Sequence, residues 1–409
     1  MENRSFDHLL GWLPNADGKQ SGLEYTDVNG VSHATECLAP NWTGCSYNDP
    51  DHSYDGGRTE VDNGRMDGFL QTSAADTYAI GYYEEADNQF LSKFARLFTT
   101  CDMYFPSLLG PTFPNRIFQL CGQTDRLDDS LTLCSYPTIF DQCHLAGVDA
   151  KYYYNNIPVL ALFPADAIIY ANSFSDFLSD CASGSLPAVS FVDPAFTLVT
   201  NTSNDNHPHS DIRNGDAFLA QVYHAVAASP AWNNTVLVLN YDEWGGFFDH
   251  VPPPRALAPN NTDTDLVDGK ALLGCRTPCI VASPWTGGGQ SIREPWAQRL
   301  PAPRHVNHTS VNHTVFDHTS VLKMIESVFN VPPLAARETS NDVGNLLSVI
   351  DLNRKPEPAP PLPQLQPVIP QSLCASSIAP GGGLVRPHEP NSFQRLERVA
   401  LQRGWRVYP

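Results

Sequence analysis

The chain has 409 residues, 42% hydrophobic and 17% charged, which is enough apolar material for a sizeable core in one large α/β domain or two smaller ones. Its 25 basic side chains against 44 acidic ones leave a formal charge of −19, which argues against nucleic acid as a partner and against a strongly anionic membrane. No apolar run approaches the ~18 residues of a membrane span, so membrane contact would be peripheral.

The first twelve residues, MENRSFDHLLGW, put Glu2, Asn3, Arg4, Asp7 and His8 beside the apolar Phe6, Leu9, Leu10 and Trp12. A terminus normally frays, so this mixture reads as part of a site with its own anchor. Residues 13–63 are rich in Gly, Asn, Asp and Pro and read as loops. Apolar residues at helical spacing predict an amphipathic helix over 85–98, and a second helix starts near Thr112 and runs through NRIFQLCG. KYYYN (151–155) and LPAVSFV (186–192) read as strands, the second ending at Asp193-Pro194. Residues 211–229 form a long helix capped by Asp211. NTVLVLNY (234–241) and TPCIVAS (277–283) are apolar runs of strands buried on both faces, and 317–329 is a helix. Strands alternating with helices predict an α/β sandwich around one mostly parallel sheet. From about Arg354 the chain becomes proline-rich and ends the domain, giving a unit over 1–353 and an extension over 354–409. The closing SFQRLERVALQRGW reads as a basic helix packed on the domain.

Ten cysteines and seven Asn-X-Ser/Thr sequons, at Asn3, Asn41, Asn201, Asn233, Asn260, Asn307 and Asn312, point to a secreted or extracellular glycoprotein. A signal peptide is absent from this sequence, so any leader has been removed or lies outside it. The spacing predicts short-range disulfides Cys37–Cys45 and Cys275–Cys279, with Cys374 alone in the tail.

Chemistry collects at strand ends and turns. The strand TVLVLNY delivers Asp242 and Glu243 at its carboxyl edge, where reactive groups gather in open α/β sheets. Two adjacent carboxylates leaving a buried strand need a cation or a donor, and a solvated acidic loop is the bland alternative. GPTFPNR (110–116) places the Thr112 hydroxyl at a helix N-terminus, in a field that favours an anion. For a lone threonine an ordinary cap is the simpler reading. Asn115 and Arg116 shift it toward a phosphoryl group, to which both can donate. His52, His207, His250 and His318 each sit in short loops bounded by Asp, Pro or Gly. Any one alone is more often structural, but the four together suggest a site.

ENRSFDHLLGW, PTFPNR, NHPHSDI, YDEWGGFFDHVPPP, ASPW and FDHTSVLKMIE occur in the order found in the phosphoesterase family of non-specific phospholipases C and related acid phosphatases. DPDHSYDGGR and GRMDGF also resemble the phospholipase C branch. The resemblance runs from Glu2 to Leu352 and implies a three-layer α/β/α fold of the alkaline phosphatase-like superfamily. It implies one or more divalent metal ions (Ca, Mg, Mn or Zn) on Glu2, Asn3, Asp242 and Glu243, with Thr112 as nucleophile and metal contact. It also implies His207, then His52, as the group that protonates the leaving oxygen, with Asn115 and Arg116 stabilising the phosphoryl charge and His250 and His318 as ligand or supporting residues. In the family a hydrophobic strand runs into the Glu-Asn pair, so the first strand is expected to be missing here. A glycan on Asn3 would obstruct the metal, so that sequon is expected to be unmodified. The resulting expectation is a metal-dependent phospholipase C that cleaves glycerophospholipids through a phosphothreonine-type intermediate. The alternatives are an acid phosphatase acting on monoesters and an inactive secreted binding glycoprotein. A sulfatase is disfavoured, because the T-x-P-x-R outline of TFPNR has Thr112 where those enzymes need Cys or Ser.

Overall fold

The structure is a computed structural model, described here for residues 1–72, 75–197, 203–287, 310–368, 391–402 and 407. Asn201, Asn307, Cys374 and the end of the expected terminal helix lie outside the described residues. A helix α1 (Phe6–Leu10) opens the chain, capped by Ser5, whose hydroxyl accepts from the His8 amide. Next come strand β1 (Thr99–Cys101) preceded by α2 (Gln89–Leu97), then α3 (Thr112–Cys121), β2 (Ala150–Tyr154), β3 (Ala171–Ser173), α4 (Phe174–Ser183) and β4 (Val189–Val192). The remainder supplies α5 (Ile212–Ala227), β5 (Leu237–Asn240), β6 (Cys279–Ala282), β7 (Val311–Asn312), α6 (His318–Phe329) and α7 (Ser392–Gln402).

The main strands form two sheets, one in the order β3-β2-β4, all parallel, and one in the order β5-β6-β1-β7. In the second, β5–β6 and β6–β1 are antiparallel and β7–β1 is parallel. Alternation along the strands creates the layers. Tyr153, Leu239, Ile280 and Ala282 face one core together with Phe90 and Phe94 of α2, Phe177 of α4 and Phe218 of α5. Tyr152 and Val189 face the other way, against Ile117 of α3 and Leu322 and Ile325 of α6. Helices therefore cover both faces, the α/β sandwich the alternation of elements predicted. No helix among the described residues is long and apolar enough to cross a membrane.

Residues beyond 353 do not leave the surface. The Trp232 and Tyr223 side chains donate to the carbonyls of Glu357 and Pro360, and Leu362 is buried in the core under α5. Farther on, Phe393 of α7 stacks on Phe196 at 3.7 Å and meets Phe113 of α3 edge-on.

The short-range disulfides are corrected by the structure, since Cys37, Cys275 and Cys279 carry free thiols. The Cys37 thiol turns toward Asp87, 3.8 Å away. Cys279 is held by strand register beside Cys101, to which its thiol hydrogen-bonds. Cys275 packs in the core with Trp244 and Phe248.

Candidate active site

Three chain segments converge because each holds the next by backbone bonds. The Glu2 amide donates to the Asp205 carbonyl (2.8 Å), the Arg4 amide to the Glu243 carbonyl (3.1 Å) and the Phe6 amide to the Arg276 carbonyl (2.8 Å). Arg4 reinforces this with a 2.7 Å bond from Nε to the Asn206 carbonyl, beside His207. The terminal residues are thus core rather than fraying chain, and Glu2, Asn3, Arg4, Asp7 and His8 are all fully buried. Gly245 explains the WGG turn. It has φ +68°, and a Cβ there would lie 2.2 Å from the Asn3 carbonyl oxygen.

Asp242 and Glu243 follow β5, as read from the sequence. Asp242 Oδ1 accepts from the amides of Asn3 (3.1 Å) and Glu243 (2.8 Å). From α3, Arg116 reaches across to Glu2 Oε1 (2.6 Å), Asp242 Oδ2 (3.1 Å) and Asp193 Oδ1 (3.0 Å). Thr112 begins the same helix one turn earlier, so the two residues share a face. The Thr112 hydroxyl is fully buried and Pro111 occupies the cap position, so the threonine is not an ordinary N-cap.

Among the described residues several buried oxygens have no hydrogen-bond partner, and Glu2 Oε2, Asn3 Oδ1, Glu243 Oε1 and Thr112 Oγ1 are four of them at this site. Orphaned buried acceptors are rare and costly unless something else fills their lone pairs. Oxygen donors of this kind fit a hard divalent cation. The charges point the same way. Burial and the neighbouring Asp242 carboxylate push Glu2 well above the usual carboxylate range. Burial does the same to Glu243. Burial also raises Asp242, but Arg116 beside it prevails and holds it below its ordinary value.

His52 and His207 form the opposite wall, their rings 6.2 Å apart. His52 Nδ1 donates to the Pro50 carbonyl (2.8 Å), which leaves Nε2 toward Asn3 Nδ2 (3.5 Å) and Glu243 Oε1 (4.0 Å). Burial disfavours its charge, yet the Glu243 and Asp49 carboxylates push the ring up to about 10. His207 Nδ1 donates to the Pro208 carbonyl (2.9 Å), and its Nε2 stands 4.0 Å from Asp49. Asp49, His52 and His207 each bring a ligand atom within 4.8 Å of the others, a second candidate group for a cation.

The remaining sequence candidates have other duties. Asn115 is corrected from phosphoryl donor to loop brace. Its amide nitrogen donates to the carbonyls of Leu108, Gly110 and Pro111, and its oxygen accepts from the Leu108 amide. Arg116 likewise faces three carboxylates instead of open space. His318 is neutral, because burial lowers it to about 4. Its Nε2 donates to the Asp242 carbonyl (2.7 Å) and its Nδ1 accepts from Tyr104 (2.9 Å), so it steadies the turn that carries Asp242. His250 belongs to a separate cluster, with Nδ1 2.5 Å from Asp7 and Nε2 3.1 Å from Asp17. The Arg276 guanidinium already neutralises Asp7 and Asp249 there. Sequence reasoning missed Asp193 as an Arg116 partner, although it too is a carboxylate leaving a strand. It also missed Asp129, which accepts from the Phe113 amide at the start of α3.

Residues 1–332 match the model of the Phosphoesterase family. Non-specific phospholipase C6 of Arabidopsis thaliana is 31% identical over 362 residues, covering 81% of this chain and 67% of that protein. Non-specific phospholipase C1 of the same plant is 29% identical, covering 81% and 66%. Phospholipase C B of Mycobacterium tuberculosis is 28% identical over 459 residues, covering 92% and 82%. The chain thus spans about two thirds of the length of these plant relatives. Among solved structures, a phosphonate monoester hydrolase of Agrobacterium radiobacter aligns with a TM-score of 0.35 and 10% identity over 79% of this chain and 77% of that one. A protein in the alkaline phosphatase superfamily from Vibrio parahaemolyticus aligns at 0.34 and 9% identity over 60% of each.

Proposed function

Since the chain belongs to the phosphoesterase family and is a hydrolase of phosphoester bonds, we propose that it is a metal-dependent phospholipase C acting on glycerophospholipids. The observation that carries the reading is the set of four unpartnered oxygens, one of them a hydroxyl at the first turn of a helix. Glu2, Asn3, Asp242 and Glu243 would hold a divalent cation, which supplies charge neutralisation and a lowered pKa to an oxygen nucleophile.

Thr112 Oγ, as the alkoxide left once its proton has passed to solvent, attacks phosphorus in line with the diacylglycerol oxygen. A Thr–O–P bond forms, the P–O bond to the glycerol breaks, and protonated His207 donates its Nε2 proton to the departing alkoxide. Water then attacks the phosphothreonine, His207 takes its proton, and the phosphorylated head group leaves with Thr112 restored. His52, kept cationic by Glu243 and Asp49, sits beside the developing negative charge, where one well-placed donor contributes about 3 kcal/mol. Arg116 keeps Glu2 and Asp242 aligned. The exposed Asn233 and the half-buried Asn41, Asn260 and Asn312 fit the secreted glycoprotein part of this proposal, and the buried Asn3 would carry no glycan.

The test is hydrolysis of phosphatidylcholine and p-nitrophenyl phosphate side by side, with and without chelator, by the native chain and Thr112→Ala. Diacylglycerol release that needs both metal and Thr112 is expected. Cleavage of the monoester alone moves the reading to a phosphatase, and full activity in Thr112→Ala overturns the nucleophile.

A further inference from the structure

The loop that follows α3, residues 122–138, bends back to the start of that helix and puts a carboxylate there. Asp129 Oδ1 accepts from the Phe113 amide at 2.7 Å, one residue beyond Thr112. The amide belongs to the first turn of a ten-residue helix, where free N–H groups and the helix field favour an anion. Its partner here is a side chain of the same protein. Because the Phe113 nitrogen is covalently joined to Thr112, a phosphoryl group at the Thr112 hydroxyl has Asp129 as a neighbour.

The loop is braced on both sides of Asp129. Arg126 Nη1 donates to the Ser130 carbonyl (2.6 Å), the Ser130 amide donates to Asp128 Oδ1 (3.1 Å), and Asn260 Nδ2 donates to the Thr124 carbonyl (2.9 Å). The Ser392 hydroxyl at the head of α7 also donates to the Asp129 carboxyl, and Arg395 Nη2 approaches its backbone carbonyl at 3.4 Å. Desolvation raises the Asp129 carboxyl, and the Phe113 amide and the His52 imidazolium oppose that rise. Its charge is felt in turn by His52 and Glu243. The Arg116 guanidinium on the same helix is committed to Glu2, Asp193 and Asp242, so it does not offset Asp129.

We propose that Asp129 is a charge filter, whose carboxylate beside Thr112 disfavours dianionic phosphomonoesters and leaves the site to monoanionic phosphodiesters. This rests on the phosphoester-cleaving reading of Thr112 and names the residue that sets its substrate class. Esterifying a second phosphate oxygen removes one negative charge, whereas a monoester carries about two above its second pKa near 6. Coulomb repulsion scales with charge, so a carboxylate that weakens a monoanion about fivefold weakens a dianion about twenty-five-fold. Selectivity then comes from a repulsive element against the wrong substrate. A capping role alone predicts a different pattern, because an asparagine oxygen would accept the Phe113 amide equally well. Asp129→Asn therefore removes the charge and keeps the cap.

The test compares the full native chain, Asp129→Asn and Asp128→Asn in excess Mg²⁺ at about pH 8. Asp128 is exposed and bonds within its own loop, so its substitution changes the net charge equally without touching the head of α3. Calorimetry reads the binding of inorganic phosphate and of dimethyl phosphate. Turnover is read as kcat/KM for p-nitrophenyl phosphate and for its methyl ester, which share a leaving group. Asp129→Asn is expected to tighten phosphate about twenty-five-fold and dimethyl phosphate about fivefold, and to shift the kcat/KM ratio about fivefold toward the monoester. Asp128→Asn is expected to do neither. Asp129→Ser gives the same reading should the asparagine form fail to fold. Equal changes for both anions, no gain for phosphate, or the same shift from Asp128→Asn overturns the filter. A native chain that cleaves neither ester refutes the chemistry proposed for Thr112, while the two binding constants still decide the filter.

Discussion

Gly245→Ala tests whether the WGG turn sets the position of the Asn3 backbone. At φ +68° an alanine bears the left-handed strain of about 1–2 kcal/mol. In addition its Cβ would stand 2.2 Å from the Asn3 oxygen, whereas ordinary contact begins at 3.4 Å, so Asn3 must retreat by more than 1 Å. Gly269 isolates the two effects, because its φ is +75° with nothing within 4 Å of an added Cβ. Gly245→Ala should therefore lose more stability in urea than Gly269→Ala, which bears the strain alone. Only Gly245→Ala should also bind metal at least tenfold more weakly in a chelator competition and turn over about a hundredfold more slowly, the scale of a 1 Å misplacement. If the two variants match in metal affinity and turnover, the close approach of Gly245 to Asn3 does not organise the site.

Arg116→Met leaves Glu2, Asp242 and Asp193 without their guanidinium and should cost about 3–5 kcal/mol in chelator, with part recovered by saturating metal. Urea denaturation with and without EDTA checks this, and equal losses in both would refute the idea that metal and arginine neutralise the same carboxylates. His250→Asn should weaken stability by about 1–2 kcal/mol through the lost bonds to Asp7 and Asp17, while metal stoichiometry and kcat stay unchanged. Asp216 is nearly fully buried and is raised to about 6 by that burial, although the Phe90 and Leu91 amides oppose it. Because its folded pKa lies above the unfolded one, its contribution is complete below about pH 4 and is lost as pH rises through 6, on the order of 3 kcal/mol. Urea midpoints from pH 4 to 7 should fall more steeply for the native chain than for Asp216→Asn, and parallel profiles would refute the assignment.

The elements were legible wherever one physical demand dominated. The apolar run of NTVLVLNY does form the strand Leu237–Asn240, but as an edge strand in which only Leu239 is buried rather than one buried on both faces, and Asp211 caps α5 as its position before the helix suggested. Site residues were legible when their cost was visible in the chain, as with Asp242 and Glu243 leaving that strand. Asn115 was misread because an amide beside an arginine near a nucleophile looks the same whether it serves a phosphate or the loop at 108–111. Only the fold reveals that three carbonyls of that loop point at it. The cysteines failed for a related reason: spacing along the chain says nothing of strand register, which puts Cys279 beside Cys101 although the two are far apart in sequence.

Charge gives the site its internal logic. Glu2, Asp193, Asp242 and Glu243 are four buried carboxyls, and the cations among the groups that touch them are the Arg116 guanidinium and the His52 imidazolium. With all four ionised the carboxylates outnumber these two cations, and the buried Met1 amino group beside Asp242 and Asp193 offsets part of the excess. Burial drives Glu2 and Glu243 toward their neutral forms, which is how a desolvated carboxyl avoids an unpaired charge. The unpartnered oxygens and the excess charge are two properties of the same donor set, one geometric and one electrostatic. Thr112 lies one turn before Arg116 on the same face of α3, which under the proposed function would set its hydroxyl on the side of these carboxylates.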